Sequence, residues 1–165
     1  MGPNIKKAVF RSPVIVVLLY ACTSSLKSDI FSKVDRDCGP GSNSNCTVVM
    51  KDVTKFKWDK MYLFGSWTIA DSISQIIGFN CDGGDVPDDY RRMLFVLDGK
   101  AVYEEDFKAL DSYTLTLNFP EVGDSLRKSP KPYFTPEDAV FVVQKNNDDP
   151  GCKGCFAYSL TPINR

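Results

Sequence analysis

Cysteine is the residue type in this 165-residue chain with the widest chemical range, and six are present, at positions 22, 38, 46, 81, 152 and 155. Two of them lie as Cys152-Lys153-Gly154-Cys155, the spacing of dithiol redox motifs, in which a helix start lowers the first thiol's pKa. Here the pair follows Pro150-Gly151 and leads into Phe156-Ala157-Tyr158-Ser159-Leu160, a run that predicts a strand instead of a helix. A structural disulfide, within the pair or from one member to Cys81, is the expected use; thiol-disulfide chemistry through Cys152 and Cys155 is the alternative. Zinc would need four ligands in the usual two-pair spacing, which the chain lacks. The chain contains no histidine, which removes Ser-His-Asp and Cys-His catalysis, two-histidine metal sites and any imidazole pH switch.

Carboxylates are the other candidates. Asp88-Asp89, Glu104-Glu105 and Asp148-Asp149 are adjacent pairs in polar surroundings. Sequence neighbours point apart on a strand, whereas glycosidase-type catalysis needs two carboxyl groups facing each other across a cleft. Asp82, Asp85, Asp88 and Asp89 beside Gly83 and Gly84 offer oxygen ligands of the kind calcium takes, but their spacing misses the EF-hand pattern, and a solvated acidic loop is expected. No catalytic residue, metal ligand or cofactor is assigned, and the chain reads as non-enzymatic. For recognition of a protein partner, Trp67, beside Ser66 at a helix start, and Tyr133 and Phe134, in a proline-rich loop, are the candidates.

The elements that must hold these residues follow from periodicity. Cys38 and Cys46 enclose Gly39-Pro40-Gly41-Ser42-Asn43-Ser44-Asn45, a run of turn formers that a disulfide between the two cysteines would close. Phe56 to Phe64 alternates with apolar residues on both faces and predicts a central strand. Thr68 with Asp71 resembles a short-armed capping box before Ile69, Ile73, Ile76 and Ile77, whose spacing predicts a helix ending at Gly78 and packed on the sheet. Met93 to Leu97 and Lys100 to Tyr103 flank Asp98-Gly99, a type I′ hairpin signal that pairs Leu97 with Lys100, Val96 with Ala101, Phe95 with Val102 and Leu94 with Tyr103. Glu104, Glu105 and Asp106 are expected to run into solvent. Further strands are expected at Tyr113 to Phe119, Ala139 to Val143 and Phe156 to Leu160, with a long loop over residues 121–136. The sum is an α+β domain, mainly antiparallel sheet, with one helix packed on one face.

Ahead of all this stands a leader: basic Lys6, Lys7 and Arg11, an apolar run from Val14 to Leu19, then Ala21 and Cys22. This is the layout of a secretory signal peptide, and the apolar run is roughly half the ~20 residues a membrane-spanning helix needs. Leu19-Tyr20-Ala21-Cys22 resembles the lipobox of bacterial lipoprotein precursors in Leu19, Ala21 and Cys22, although Tyr20 is bulkier than the small residue usual there. The resemblance implies that Cys22 receives a diacylglyceryl group, that residues 1–21 are removed, and that the mature protein is held on a membrane of the cell envelope. Thr23 stands where the inner-membrane retention signal would have Asp, so for a Gram-negative host the resemblance implies the outer membrane, with the domain facing the periplasm or exposed at the surface. An ordinary signal peptide cut near Ala21, leaving a secreted, disulfide-stabilised domain without lipid, is the alternative.

Residues 22–46 are then expected to be a lipid-anchored tether and disulfide loop, and residues 47–165 a single domain. If Cys22 is lipidated, five cysteines remain and one is unpaired, with Cys81 the candidate. The formal net charge of −1 and the absence of long basic runs argue against nucleic-acid binding, which draws its affinity from Lys and Arg meeting phosphates. The expected partners are the lipid bilayer, through acylated Cys22, and another envelope protein, bound as an assembly accessory or as an inhibitor or immunity factor.

Overall fold

A computed structural model describes residues 25–38, 46–108, 117–118, 131–146 and 157–163. They form an α+β fold in which two sheets and two helices share one hydrophobic core. The first sheet runs in the order β1 (Cys46–Val49), β6 (Val140–Asn146), β7 (Ala157–Pro162), β5 (Leu117–Asn118), and the second in the order β2 (Lys60–Phe64), β3 (Tyr90–Leu97), β4 (Lys100–Lys108). Every pairing is antiparallel except β5 with β7.

The chain from Leu26 to Asp37, expected to be a tether, is instead a helix, α1. Ser25 caps it by accepting the Ser28 N–H, Asp29 sits in the first turn and Arg36 in the last, each sign favourable to the helix dipole. Leu26, Ile30, Phe31 and Val34 lie on one stripe and are all buried, each contributing roughly 1.5–3 kcal/mol against an exposed state. Aspartates, serines, lysines and an arginine fill the other faces, so the composition resembled a linker while the spacing was that of an amphipathic helix. The helix bridges the two sheets. Its first N–H groups are held by β4, where Leu26 N donates to Tyr103 Oη (3.0 Å) and Lys27 N to Glu105 Oε2 (3.2 Å). Its far end is held by the Cys38–Cys46 disulfide into β1 and by Tyr158 Oη, which donates to Asp35 Oδ1 at 2.9 Å. No described helix is long and apolar enough to cross a membrane.

Strand β2 is shorter than the sequence suggested, beginning at Lys60, and it is an edge strand of its sheet, not the central one, which is β3; Met61, Tyr62, Leu63 and Phe64 are nonetheless all buried. Its second edge is filled by the loop before β6: Met61 N donates to Phe134 O and Phe134 N to Met61 O. The fully buried Phe134 ring lies 5.2 Å from that of Phe141 on β6, so this residue joins the two sheets.

The β3–β4 hairpin has the expected turn, with φ of 51° at Asp98 and 72° at Gly99, but the expected register holds for only two pairs. Leu97 faces Lys100 and Val96 faces Ala101; then a bulge intervenes and Phe95 faces Tyr103, Leu94 faces Glu104 and Arg92 faces Asp106. Val102 is the extra residue. From there on every β4 side chain is on the opposite face from the one a regular hairpin would give it.

Candidate functional site

The bulge divides β4 between two environments. Paired residues share a face, so Tyr103 and Glu105 lie with Phe95 and Met93, towards α1, while Glu104 and Asp106 lie with Leu94 and Arg92 on the other side. Tyr103 stacks on Phe56 at 5.0 Å and donates its hydroxyl hydrogen to Glu105 Oε2 at 2.7 Å. Burial, with Glu105 beside it, pushes its pKa up to about 12 despite the opposing bond from Leu26.

On the opposite face the side chain of Arg92, 1% exposed, is the largest buried polar group. Its Nε and Nη2 donate to Asp106 Oδ1 (2.7 Å) and Oδ2 (2.8 Å), a bidentate pair. Nη1 donates to Gly84 O at 2.8 Å and Nη2 also to Gly83 O at 2.9 Å, while Glu104 Oε1 lies 3.1 Å from Nε. The bond to Asp106, more than burial opposes it, raises the guanidinium's pKa. Glu104, Glu105 and Asp106, expected in solvent, are therefore bound into the fold. The acidic loop is latched as well: the Gly83 and Gly84 carbonyl oxygens, hard ligands of the kind a cation would seek, already accept from a guanidinium. Among the described residues no group of three or more Cys, Asp or Glu is arranged to hold a metal ion.

The same loop supports the exposed apolar surface. Ser66 Oγ donates to Tyr90 O (2.8 Å), Trp67 N to Val86 O (3.1 Å), Val86 N to Thr68 O (2.9 Å) and Ala70 N to Asp85 Oδ1 (2.8 Å). Helix α2 (Ala70–Ile77) is thus capped from across the loop. The capping box expected from Thr68 and Asp71 does not form, because Ile69 is the N-cap and the Thr68 hydroxyl donates to Gly65 O at 2.8 Å. Gly78 ends the helix at φ 86°, as its position suggested. Of the four isoleucines, Ile73 and Ile77 enter the core, while Ile69 is 52% and Ile76 37% exposed. Trp67 is 72% exposed and holds a φ of 65°, a left-handed conformation that costs a non-glycine residue ~1–2 kcal/mol. Ile69 is the extended residue just before the helix and Ile76 lies in its last turn.

The candidate residues therefore separate. Cys38 and Cys46 form their disulfide, and Cys81 is a free, buried thiol. Cys22, Cys152 and Cys155 lie outside the described residues, as do the leader and most of the strand expected at Tyr113 to Phe119. Trp67 is at the surface. Tyr133 is half-buried, packed on Tyr62 at 5.7 Å with Lys60 Nζ 5.3 Å from its ring centroid. Phe134 is a correction: a backbone bridge to β2 draws it wholly into the core, so it presents no surface to a partner. Sequence reasoning missed Arg92, although Arg91-Arg92 inside an apolar strand was a signal, since a charge in such a run needs a partner opposite. It also missed that Ile69, which is the N-cap and not part of the helix, and Ile76 stay exposed while Ile73 and Ile77 enter the core.

Comparisons with protein-family models, with curated proteins and with solved structures gave no match for this chain.

Proposed function

We propose that the protein is a non-enzymatic lipoprotein of the bacterial cell envelope, anchored through acylated Cys22, whose α+β domain binds another envelope protein as an assembly accessory, inhibitor or immunity factor. The supporting observation is the placement of α1 relative to the exposed apolar surface. The helix cap, Ser25, is three residues after Cys22, a span of at most ~11 Å when fully extended. Acyl chains on Cys22 would hold the first turn of α1 close to the head groups, and two or three chains make such attachment stable. That first turn is fastened to the Tyr103–Glu105 face of the second sheet. Trp67, by contrast, is fastened to the loop whose carbonyls cap Arg92, on the opposite face. An anchor at Cys22 would hold the α1 side near the bilayer and leave the exposed Trp67, Ile69 and Ile76 available to a protein.

Mass spectrometry of the mature amino terminus tests the anchor. A diacylglyceryl-modified Cys22 as first residue is expected; an unmodified Cys22 peptide would exclude it and favour a secreted domain without lipid.

A further inference from the structure

We infer that Trp67, Ile69 and Ile76 form the docking surface for the envelope partner, and that the partner meets them with a segment combining apolar side chains with Lys or Arg. The inference deepens the proposed function and rests on it.

Charge carries the assignment. Between Lys60 and Arg91 the chain contains no basic residue, and it contains five aspartates, at 71, 82, 85, 88 and 89. All five are exposed. The bonds from Ser66 to Tyr90, from Trp67 to Val86 and from Ala70 to Asp85 bring the acidic loop alongside the Trp67 turn and the start of α2. Arg92 does not offset these aspartates, because its guanidinium is buried and committed to Asp106, Glu104 and the two glycine carbonyls. Lys108 stands at one margin, its Nζ 6.0 Å from the Tyr90 ring centroid. Half-buried Arg91 stands at the same margin. The exposed apolar side chains are therefore bordered by a loop whose charges are predominantly acidic, and a basic rim on the partner is its complement. An anionic bilayer would be repelled by the same carboxylates.

The backbone gives an independent reason to regard the tryptophan as used. Trp67 and Asp89, at φ 65° and 60°, are two of the three non-glycine residues with positive φ among those described. Strain of this kind persists where surrounding bonds over-determine it and gathers at binding sites. Here the Val86 and Tyr90 carbonyls fix the turn while the indole gains little burial in return. A hot-spot tryptophan at the centre of an interface would recover that cost on docking.

The test is photo-crosslinking in cells making the full chain with p-benzoylphenylalanine at position 67, separately at 76, and, as control, at 57 on the exposed turn before β2. The adduct is digested and the attached segment sequenced. The expected result is a protein adduct from 67 and 76 but not 57, whose attached segment carries net positive charge beside apolar residues. Its yield should fall at least threefold when envelopes are irradiated in about 0.5 M instead of 0.05 M NaCl, and at least threefold in the Asp71→Asn, Asp88→Asn double variant. An adduct whose attached segment is neutral or acidic, or whose yield ignores salt, overturns the cationic partner while leaving protein binding intact. An adduct to lipid at 67, or protein adducts from 57 alone, or none at all, overturns the docking surface itself. The mass of the amino terminus reports separately on the anchor.

Discussion

Removing the Arg92 fork isolates the interaction on which the site rests. Arg92→Met keeps an unbranched stem on β3 and deletes the guanidinium, leaving Asp106 and Glu104 without their cation and the Gly83 and Gly84 carbonyls without their donors. Removing one member of a buried pair typically costs ~3–5 kcal/mol, much of it the desolvated charge left behind. Here the carboxylate side chains keep 27% (Asp106) and 29% (Glu104) of their surface exposed, so water recovers part of that, and about 3 kcal/mol is expected. With a urea slope of ~2 kcal/mol/M, the unfolding midpoint should fall by about 1.5 M with the slope unchanged. Arg92→Lys, which keeps the charge but loses the bidentate fork, should lose about half as much. Because the latch holds the loop that follows Cys81, alkylation of the buried Cys81 thiol, followed on its own peptide by mass spectrometry, should accelerate in Arg92→Met well below the unfolding transition. A midpoint shift under about 0.3 M with Cys81 still protected would refute the reasoning, because it would mean that the pair contributes nothing net and that the loop is held by other contacts.

Three further outcomes follow from the same geometry. Phe134→Ala should destabilise the fold by ~3–5 kcal/mol in urea unfolding, as loss of a core aromatic does, without selectively weakening partner crosslinking at folded-protein temperatures; an unchanged midpoint would contradict its place at the sheet junction. Trp67→Gly should leave stability unchanged or raise it by up to about 1 kcal/mol, since relief of positive φ (~1–2 kcal/mol) exceeds the entropy glycine adds to the unfolded chain (~0.5–1 kcal/mol), while partner binding is lost; a large destabilisation would show that the indole packs. Tyr103 and Tyr158 both have hydroxyl pKa values raised to about 12, chiefly by burial and further by Glu105 and Asp35 respectively. Their neutral forms are favoured in the fold, so this stabilisation is complete below about pH 10, the unfolded value, and is lost as pH rises towards about 12. Urea melts across that range, with tyrosinate absorbance recorded in parallel, should show the decline, and Tyr103→Phe should flatten part of it.

The exposed aspartates and the anchor bear on each other. If Cys22 is acylated as proposed, a domain starting three residues later would have little freedom to choose which side faces the bilayer, and recognition would fall to another face. The distribution of charge fits that reading: Lys27 lies in the first turn of α1 and Lys55 Nζ reaches Asp29 there at 2.9 Å, whereas residues 61–90 contain no Lys or Arg. A basic partner approaching from the aqueous side would be steered to the acidic face, and salt should slow that encounter.

The composition of the fold and several of its boundaries were legible along the chain, because the information was local. Asp98-Gly99 specified a turn that needs positive φ twice, Gly78 ended a helix for the same reason, and the turn formers between Cys38 and Cys46 fitted the disulfide observed. Apolar runs at spacing two gave mainly antiparallel strands and the α+β class. Which way side chains face once two such elements meet depended on long-range packing. In Lys100-Ala101-Val102-Tyr103-Glu104-Glu105-Asp106 no apolar alternation pins the register, so a single bulged residue, Val102, was free to send Tyr103 and Glu105 to α1 and Glu104 and Asp106 to Arg92. Helix α1 was legible as a stripe of Leu26, Ile30, Phe31 and Val34, but its polar remainder looked like linker until a core existed for the stripe to enter. Phe134 and Trp67 show the same limit from opposite sides: both are aromatic residues outside regular strands and helices, and backbone hydrogen bonds to distant partners, Met61 in one case and Val86 in the other, bury the first and hold the second in solvent.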